Sequence, residues 1–88
     1  MKLIRSQDKL QALNAEHLLY IWIFENVDED GEETGKMDID AYLNYGKKDK
    51  FLSLATYNTE AECIRHLDRL LDFLSSTSTS GVYEMPKF

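Results

Sequence analysis

"LLYIWIFENV" (residues 18–27) holds the longest apolar run of the chain, Leu18 to Phe24, and whether it winds or extends decides the fold. As a helix it would be apolar all round. Tyr20, Ile21, Trp22, Ile23, Phe24 and Val27 are aromatic or β-branched. Such side chains lose rotamer freedom in a helix and sit well on a pleated surface. The uninterrupted apolar run from Leu18 to Phe24 is also strand-length. It reads as a strand extending to about Val27. Leu19, Ile21 and Ile23 then point one way, and Tyr20, Trp22 and Phe24 the other. Both faces are apolar, so both want cover.

Beyond the acidic segment Asp28 to Lys36, Met37, Ile39, Ala41, Leu43 and Tyr45 alternate with Asp38, Asp40, Tyr42 and Asn44. That period of two marks a second strand. If residues 28–36 close a simple hairpin, odd residues pair with odd ones. Ile21 and Ile23 then neighbour Leu43 and Ala41, and Trp22 neighbours Tyr42. Gly46 to Lys50 reads as a turn and Phe51 to Tyr57 as a third strand. Thr59 with Glu62 makes a capping box that opens a helix from about Thr59 to Ser75. Ala61, Ile64, Leu67, Leu71 and Leu74 recur along it at helical spacing, with Leu70 beside them. Upstream, Leu3-Ile4 and Leu10 to Leu13 flank the polar Ser6 to Lys9 as two short strands around a turn. Downstream, Ser75 to Gly81 (SSTSTSG) is a polar linker or loop. The tail Val82 to Phe88 is apolar enough to dock on the sheet. The expected fold class is α+β: an antiparallel β-meander of about five strands with one C-terminal α-helix packed on one face, in a single domain over residues 1–88.

Composition narrows the function classes. A hydrophobic content of 43% beside 30% charged residues is that of a folded domain. The net charge of −6 argues against a nucleic-acid backbone or an anionic membrane surface as partner. Cys63 is the only cysteine, which excludes an intrachain disulfide and a multi-cysteine zinc site. Lys2 and Arg5 have no apolar run behind them, so no signal peptide is read there. The run from Leu18 to Phe24 is too short to span a bilayer. A cytoplasmic protein is expected.

Three constellations invite a chemical reading. Asn26, Asp28, Asp30 and Gly31 imitate the opening of an EF-hand loop. Such a loop closes with a bidentate glutamate at its twelfth position. Met37 stands there, and a thioether does not replace two hard oxygens. The segment is therefore expected to be a solvated hairpin loop, with Gly31 and Gly35 supplying turn conformations. Cys63 and His66 lie three apart on the helix but lack an orienting acid and a glycine-rich oxyanion turn. They read as a half-buried cysteine beside a surface histidine. Asp38 and Asp40 share one strand face and read as the solvent side of an amphipathic strand. No catalytic, cofactor-binding or metal-ligating residue is assigned, and no cofactor is implied.

A count of surfaces carries more. One helix covers one face of the sheet, and the aliphatic side is the natural seat for it. Tyr20, Trp22, Phe24 and Tyr42 then need another cover. The N-terminal hairpin, the tail or a second copy of the chain would each provide one. These four residues form the candidate protein interface. The function expected is a non-catalytic structural or protein-interaction module, self-associating as a homodimer or binding an unknown protein through that face. The alternatives are an acidic inhibitor presenting Asp28, Glu29, Asp30, Glu32 and Glu33 to a basic partner, and a minor enzyme using Cys63 or His66.

The stretches Ile4 to Lys9, Leu54 to Glu60 leading into Ala61, and Tyr83 to Pro86 carry a resemblance. The chain is similar to small uncharacterised proteins of Gram-positive bacteria and their phages or mobile elements. Those have an N-terminal "SQD" turn, a "Y-x-T-E-x-x-A" strand-to-helix junction and a "Y-x-M-P" ending. The resemblance implies a compact, intracellular, β-rich domain with one helix and no established activity. It carries no catalytic residue across, and residues 28–36 look longer than the usual turn of such proteins.

Overall fold

In the computed structural model, which describes residues 1–77 and 80–87, the decisive segment is extended, as its side-chain types require. The strands are β1 (Lys2–Arg5), β2 (Ala12–Asn14), β3 (Leu18–Val27), β4 (Glu33–Asn44), β5 (Asp49–Tyr57) and β6 (Gly81–Glu84). The helix α1 (Glu60–Ser75) lies between β5 and β6, and a 3-10 turn (Ala15–His17) leads into β3. The protein is thus α+β with one helix among the described residues. Strands β3, β4 and β5 form an antiparallel meander. The second sheet has the order β2-β1-β6, with β1 antiparallel to β2 and parallel to β6. The parallel pair is possible because everything from β2 to α1 lies between β1 and β6, the long connection that parallel pairing needs. The tail docks, but on the small sheet; Phe88 and two residues of the Ser/Thr linker, Ser78 and Thr79, lie outside the described residues.

The hairpin has the expected parity and a different register. Ile21 faces Ala41, Ile23 faces Ile39, Trp22 faces Asp40 and Tyr20 faces Tyr42. Each partner is two residues nearer the turn than a simple hairpin over residues 28–36 would place it. The turn is tighter than expected, because β4 already begins at Glu33. Irregularities between Leu18 and Tyr20 and between Glu25 and Val27 take up the difference.

The odd face of β4 holds the core. Ile39, Ala41 and Leu43 are fully buried against Ile4, Leu13, Leu54, Tyr57, Cys63, Leu70 and Met85. A bulge between Ser53 and Ala55 turns both Leu54 and Ala55 inward, which a regular strand does not allow. On α1 the buried stripe is Cys63, His66 and Leu70, flanked by Leu67 and Leu74. Ile64 and Leu71, expected in the core, are about half exposed. The helix is rotated because His66 behaves as an aromatic core residue, its ring stacked 4.3 Å from that of Tyr57. Thr59 caps α1 as the capping box requires, its hydroxyl accepting from the Glu62 amide at 3.2 Å. No basic residue lies in the last helical turn. Lys2 of β1 supplies that charge, donating from Nζ to the carbonyls of Phe73, Leu74 and Ser76.

The stretches Ile4 to Lys9, Leu54 to Glu60 and Tyr83 to Pro86 meet around one side chain. The Gln7 amide N–H donates to the Leu54 carbonyl at 2.8 Å. Gln7 Oε1 accepts from the Thr56 N–H at 3.0 Å, and Nε2 donates to the Thr56 and Pro86 carbonyls at 3.1 Å each. Tyr57 donates its hydroxyl to the same Pro86 carbonyl at 2.5 Å. Gln7 therefore pairs with the outer edge of β5 as a strand of one residue would, and ties the small sheet to the meander. Cys63, in the first turn of α1, is buried in the core. These motifs hold the fold together.

Replacing Gln7 with Ala removes these side-chain bonds and leaves part-buried backbone groups of β5 unmet. The expected loss is about 2–3 kcal/mol of unfolding free energy. Urea denaturation measures it as a fall in midpoint at constant m-value.

Candidate functional site

Because β4 buries its odd side chains, its even ones stand on the opposite face, beside the even residues of β3. Two rows of residues cross the sheet there. Tyr20, Tyr42 and Phe51 form one, and Trp22, Asp40 and Ser53 the next. The rings touch: Tyr20 stacks on Tyr42 with centroids 5.1 Å apart, and Trp22 meets Tyr20 at 5.0 Å and Phe51 at 5.1 Å. Trp22 and Phe51 stand on the two strands that flank β4, about 10 Å apart. Their rings therefore close over the central strand, next to Asp40. Phe24 extends the face beyond Trp22, opposite Asp38.

Tyr20, Trp22, Phe24 and Tyr42, the four residues read from the sequence, do share one face. Phe51 joins them, and sequence reasoning missed it because the register of the second hairpin was open. The two hairpins alone fix the alignment of Phe51 with Tyr42. The small sheet and α1 both pack on the aliphatic side, through Ile4, Leu13, Leu70 and Met85. Hence Tyr20, Phe24 and Phe51 remain 56%, 59% and 57% exposed.

Within this face lies an acid that departs from expectation. Asp40 was expected to face solvent, yet it is only 5% exposed. The Trp22–Phe51 closure accounts for this. Asp40 Oδ1 has no hydrogen-bond partner among the described residues. Burial, and then the charge of Asp38, push the Asp40 carboxyl above its ordinary value, while a hydrogen bond with Ser53 pulls the other way. Asp38 is better served. Asn26 Nδ2 donates to its two oxygens at 3.0 and 3.1 Å, and the Thr56 hydroxyl donates to Oδ1 at 2.5 Å. At the other end of the face, Asp49 accepts from the Tyr42 hydroxyl at 2.7 Å and from Asn44 Nδ2 at 2.5 Å. The bond to Asp49 pushes the Tyr42 hydroxyl above its usual value and keeps it a donor.

The other sequence candidates lie elsewhere. Cys63 and His66 are both buried, a correction to the half-buried cysteine and surface histidine expected. Cys63 Sγ donates to the Met37 carbonyl at 3.5 Å. Burial, with Asp38 and Glu62 nearby, pushes the thiol up to about 11, so it is protonated and inert at neutral pH. The acidic segment closes the hairpin as an exposed turn, shorter than the expected loop because β4 begins at Glu33, with the expected positive φ at Gly31 and Gly35. Asp28 Oδ1 accepts from the amides of Asp30 and Glu32 at 2.9 and 3.0 Å. No group of three or more His, Cys, Asp or Glu able to hold a metal ion occurs among the described residues. No described helix is long and apolar enough to cross a membrane. No protein-family model, curated protein or solved structure matches the chain.

Asp40 makes a pH-dependent contribution whose sign is fixed. Its folded-state affinity for a proton exceeds that of the unfolded chain. The resulting destabilisation is absent below the ordinary value of 3.8, develops as pH rises above it, and is complete once pH passes the raised folded value. Replacing Asp40 with Asn is expected to stabilise the protein at pH 7 by on the order of 1 kcal/mol. Thermal melts of the two proteins should converge as pH is lowered toward 3.8.

Proposed function

We propose that the protein is a non-catalytic, cytoplasmic protein-interaction module of the small Gram-positive bacterial and phage type named above. Its docking surface is the aromatic face of the meander. One observation carries this. Tyr20, Phe24 and Phe51 stay more than half exposed on a face that α1 and the small sheet, among the described residues, leave open. Aromatic side chains grouped this way offer large apolar area at small entropic cost, and interfaces concentrate their binding energy in such groups. The hydrogen bonds of Tyr42, Asn44 and Asp49 hold the rim in place before a partner arrives. The acidic turn is the weaker surface, because the Asp28 carboxylate is spent on the backbone of its own turn.

If the rings serve docking rather than folding, Phe24→Ser and Phe51→Ser should each change unfolding free energy by less than about 1 kcal/mol. A photo-crosslinking residue at position 24, expressed in the native host, should give a discrete protein adduct. The same residue at Leu10, exposed on a turn away from the face, should not. Unfolding of both serine variants, or indistinguishable adducts from the two positions, overturns the proposal.

A further inference from the structure

Among the described residues, the paired rows of the aromatic face carry acids and no cation; the nearest, Lys36, stands beyond Asp38 at the end of β4. By register the residues paired across it are Tyr20, Trp22 and Phe24 of β3, the even positions 38–44 of β4, and Asp49, Phe51, Ser53 and Thr56 of β5, with Asn26 and Lys36 at the end near the acidic turn. Asp38, Asp40 and Asp49 are among the paired residues, and Lys and Arg are not. Two of the acids have their oxygens engaged, by Asn26 and Thr56 on Asp38 and by Tyr42 and Asn44 on Asp49. Asp40 differs. It is 95% removed from solvent and one of its oxygens accepts nothing. A buried acceptor left open costs stability, and a residue that costs stability in an otherwise satisfied region marks a binding role.

We infer that this face receives an arginine-bearing segment of a basic partner protein, whose guanidinium displaces the Trp22–Phe51 ring contact, 5.1 Å between centroids, to bond Asp40 Oδ1. This rests on the docking role proposed above and names the chemistry of its occupant. Three features of the site fit a guanidinium. Its two flat faces suit the rings of Trp22 and Phe51, where cation–π attraction adds to apolar contact. Its five donors supply what the open oxygen lacks, and its charge offsets the repulsion between Asp38 and Asp40, which stand about 7 Å apart along one face of β4. It sheds water more readily than an ammonium, which suits a site closed by two rings. A second copy seated face to face is disfavoured, because it would bring Asp40 and Asp49 of the two copies together, with Lys36 only at the end of the face. The net charge of −6 steers a basic partner toward the protein from a distance.

Trp22 is the only tryptophan of the chain, so its fluorescence reports on the site directly. The probe is a blocked Gly-Arg-Gly-Arg-Gly peptide at physiological salt, with the neutral citrulline peptide of equal shape as control. The expected result is a saturable change in Trp22 emission and amide shifts centred on Asp38, Asp40, Tyr42 and Phe51. The citrulline peptide should bind about tenfold more weakly, and so should the arginine peptide to Asp40→Asn. A variant with Glu29→Gln, Asp30→Asn and Glu32→Gln should bind within about twofold of wild type, since exposed charges beyond the site are screened. Trp22→Leu is a second variant that removes the stacking partner and should weaken binding independently of Asp40. Shifts confined to residues 28–33, equal binding of the citrulline peptide, or undiminished binding by folded Asp40→Asn would each overturn the inference. Concentration-dependent shifts at the same residues without peptide would overturn it in favour of a second copy. A face-specific adduct from position 24 alongside any of these results would leave the docking role standing and remove only the arginine.

Discussion

The burial of Ile39, Ala41 and Leu43 on one side of β4 is the constraint from which the rest follows. A strand places successive side chains on opposite faces, so filling the odd positions with aliphatic groups commits the even ones to the far side. β4 is the central strand of its sheet, and its neighbours inherit the same division. α1 and the small sheet converge on the aliphatic side because that is where a core can close. Among the described residues no further element is left over for the other face. The aromatic surface is thus a consequence of where the core was built.

The two sides are held to different standards of satisfaction. On the core side even an imidazole is absorbed, with His66 stacked on Tyr57 and the Tyr57 hydroxyl bonded to Pro86. Edges and ends are closed with equal economy. Gln7 covers the outer edge of β5, and Lys2 neutralises the carbonyl end of α1. On the aromatic side an acid is buried without a full set of partners, and rings are left in water. Such a contrast within a domain of 88 residues, where little stability is spare, fits a face kept for another molecule.

Much of the fold was legible because its signals are local. The alternation from Met37 to Tyr45, the aromatic and β-branched run from Leu18, and the Thr59 cap each specify backbone conformation over a few residues. The four aromatic candidates were legible for the same reason, since parity along a strand assigns faces without knowing partners. The rotation of α1 was not. Two stripes compete on its surface, and the one containing Ile64 and Leu71 looks more hydrophobic until His66 is counted as a ring and Cys63 as a small apolar group. Register was equally hidden, because it depends on where β4 begins and on irregularities that no residue announces.

By itself, then, the sequence determined which segments are extended or helical, which strand faces are apolar, and that one helix was too little cover for both. Those properties follow from side-chain shape, polarity and spacing along a single element. Only the tertiary structure decided that both the hairpin at the start and the tail at the end go to the aliphatic side, that Gln7 joins the two sheets, and that Phe51 completes the aromatic row. It alone decided that Asp40 is buried, for burial is conferred by neighbours distant in the chain. An aspartate on an alternating strand faces water until rings from the two adjoining strands meet above it.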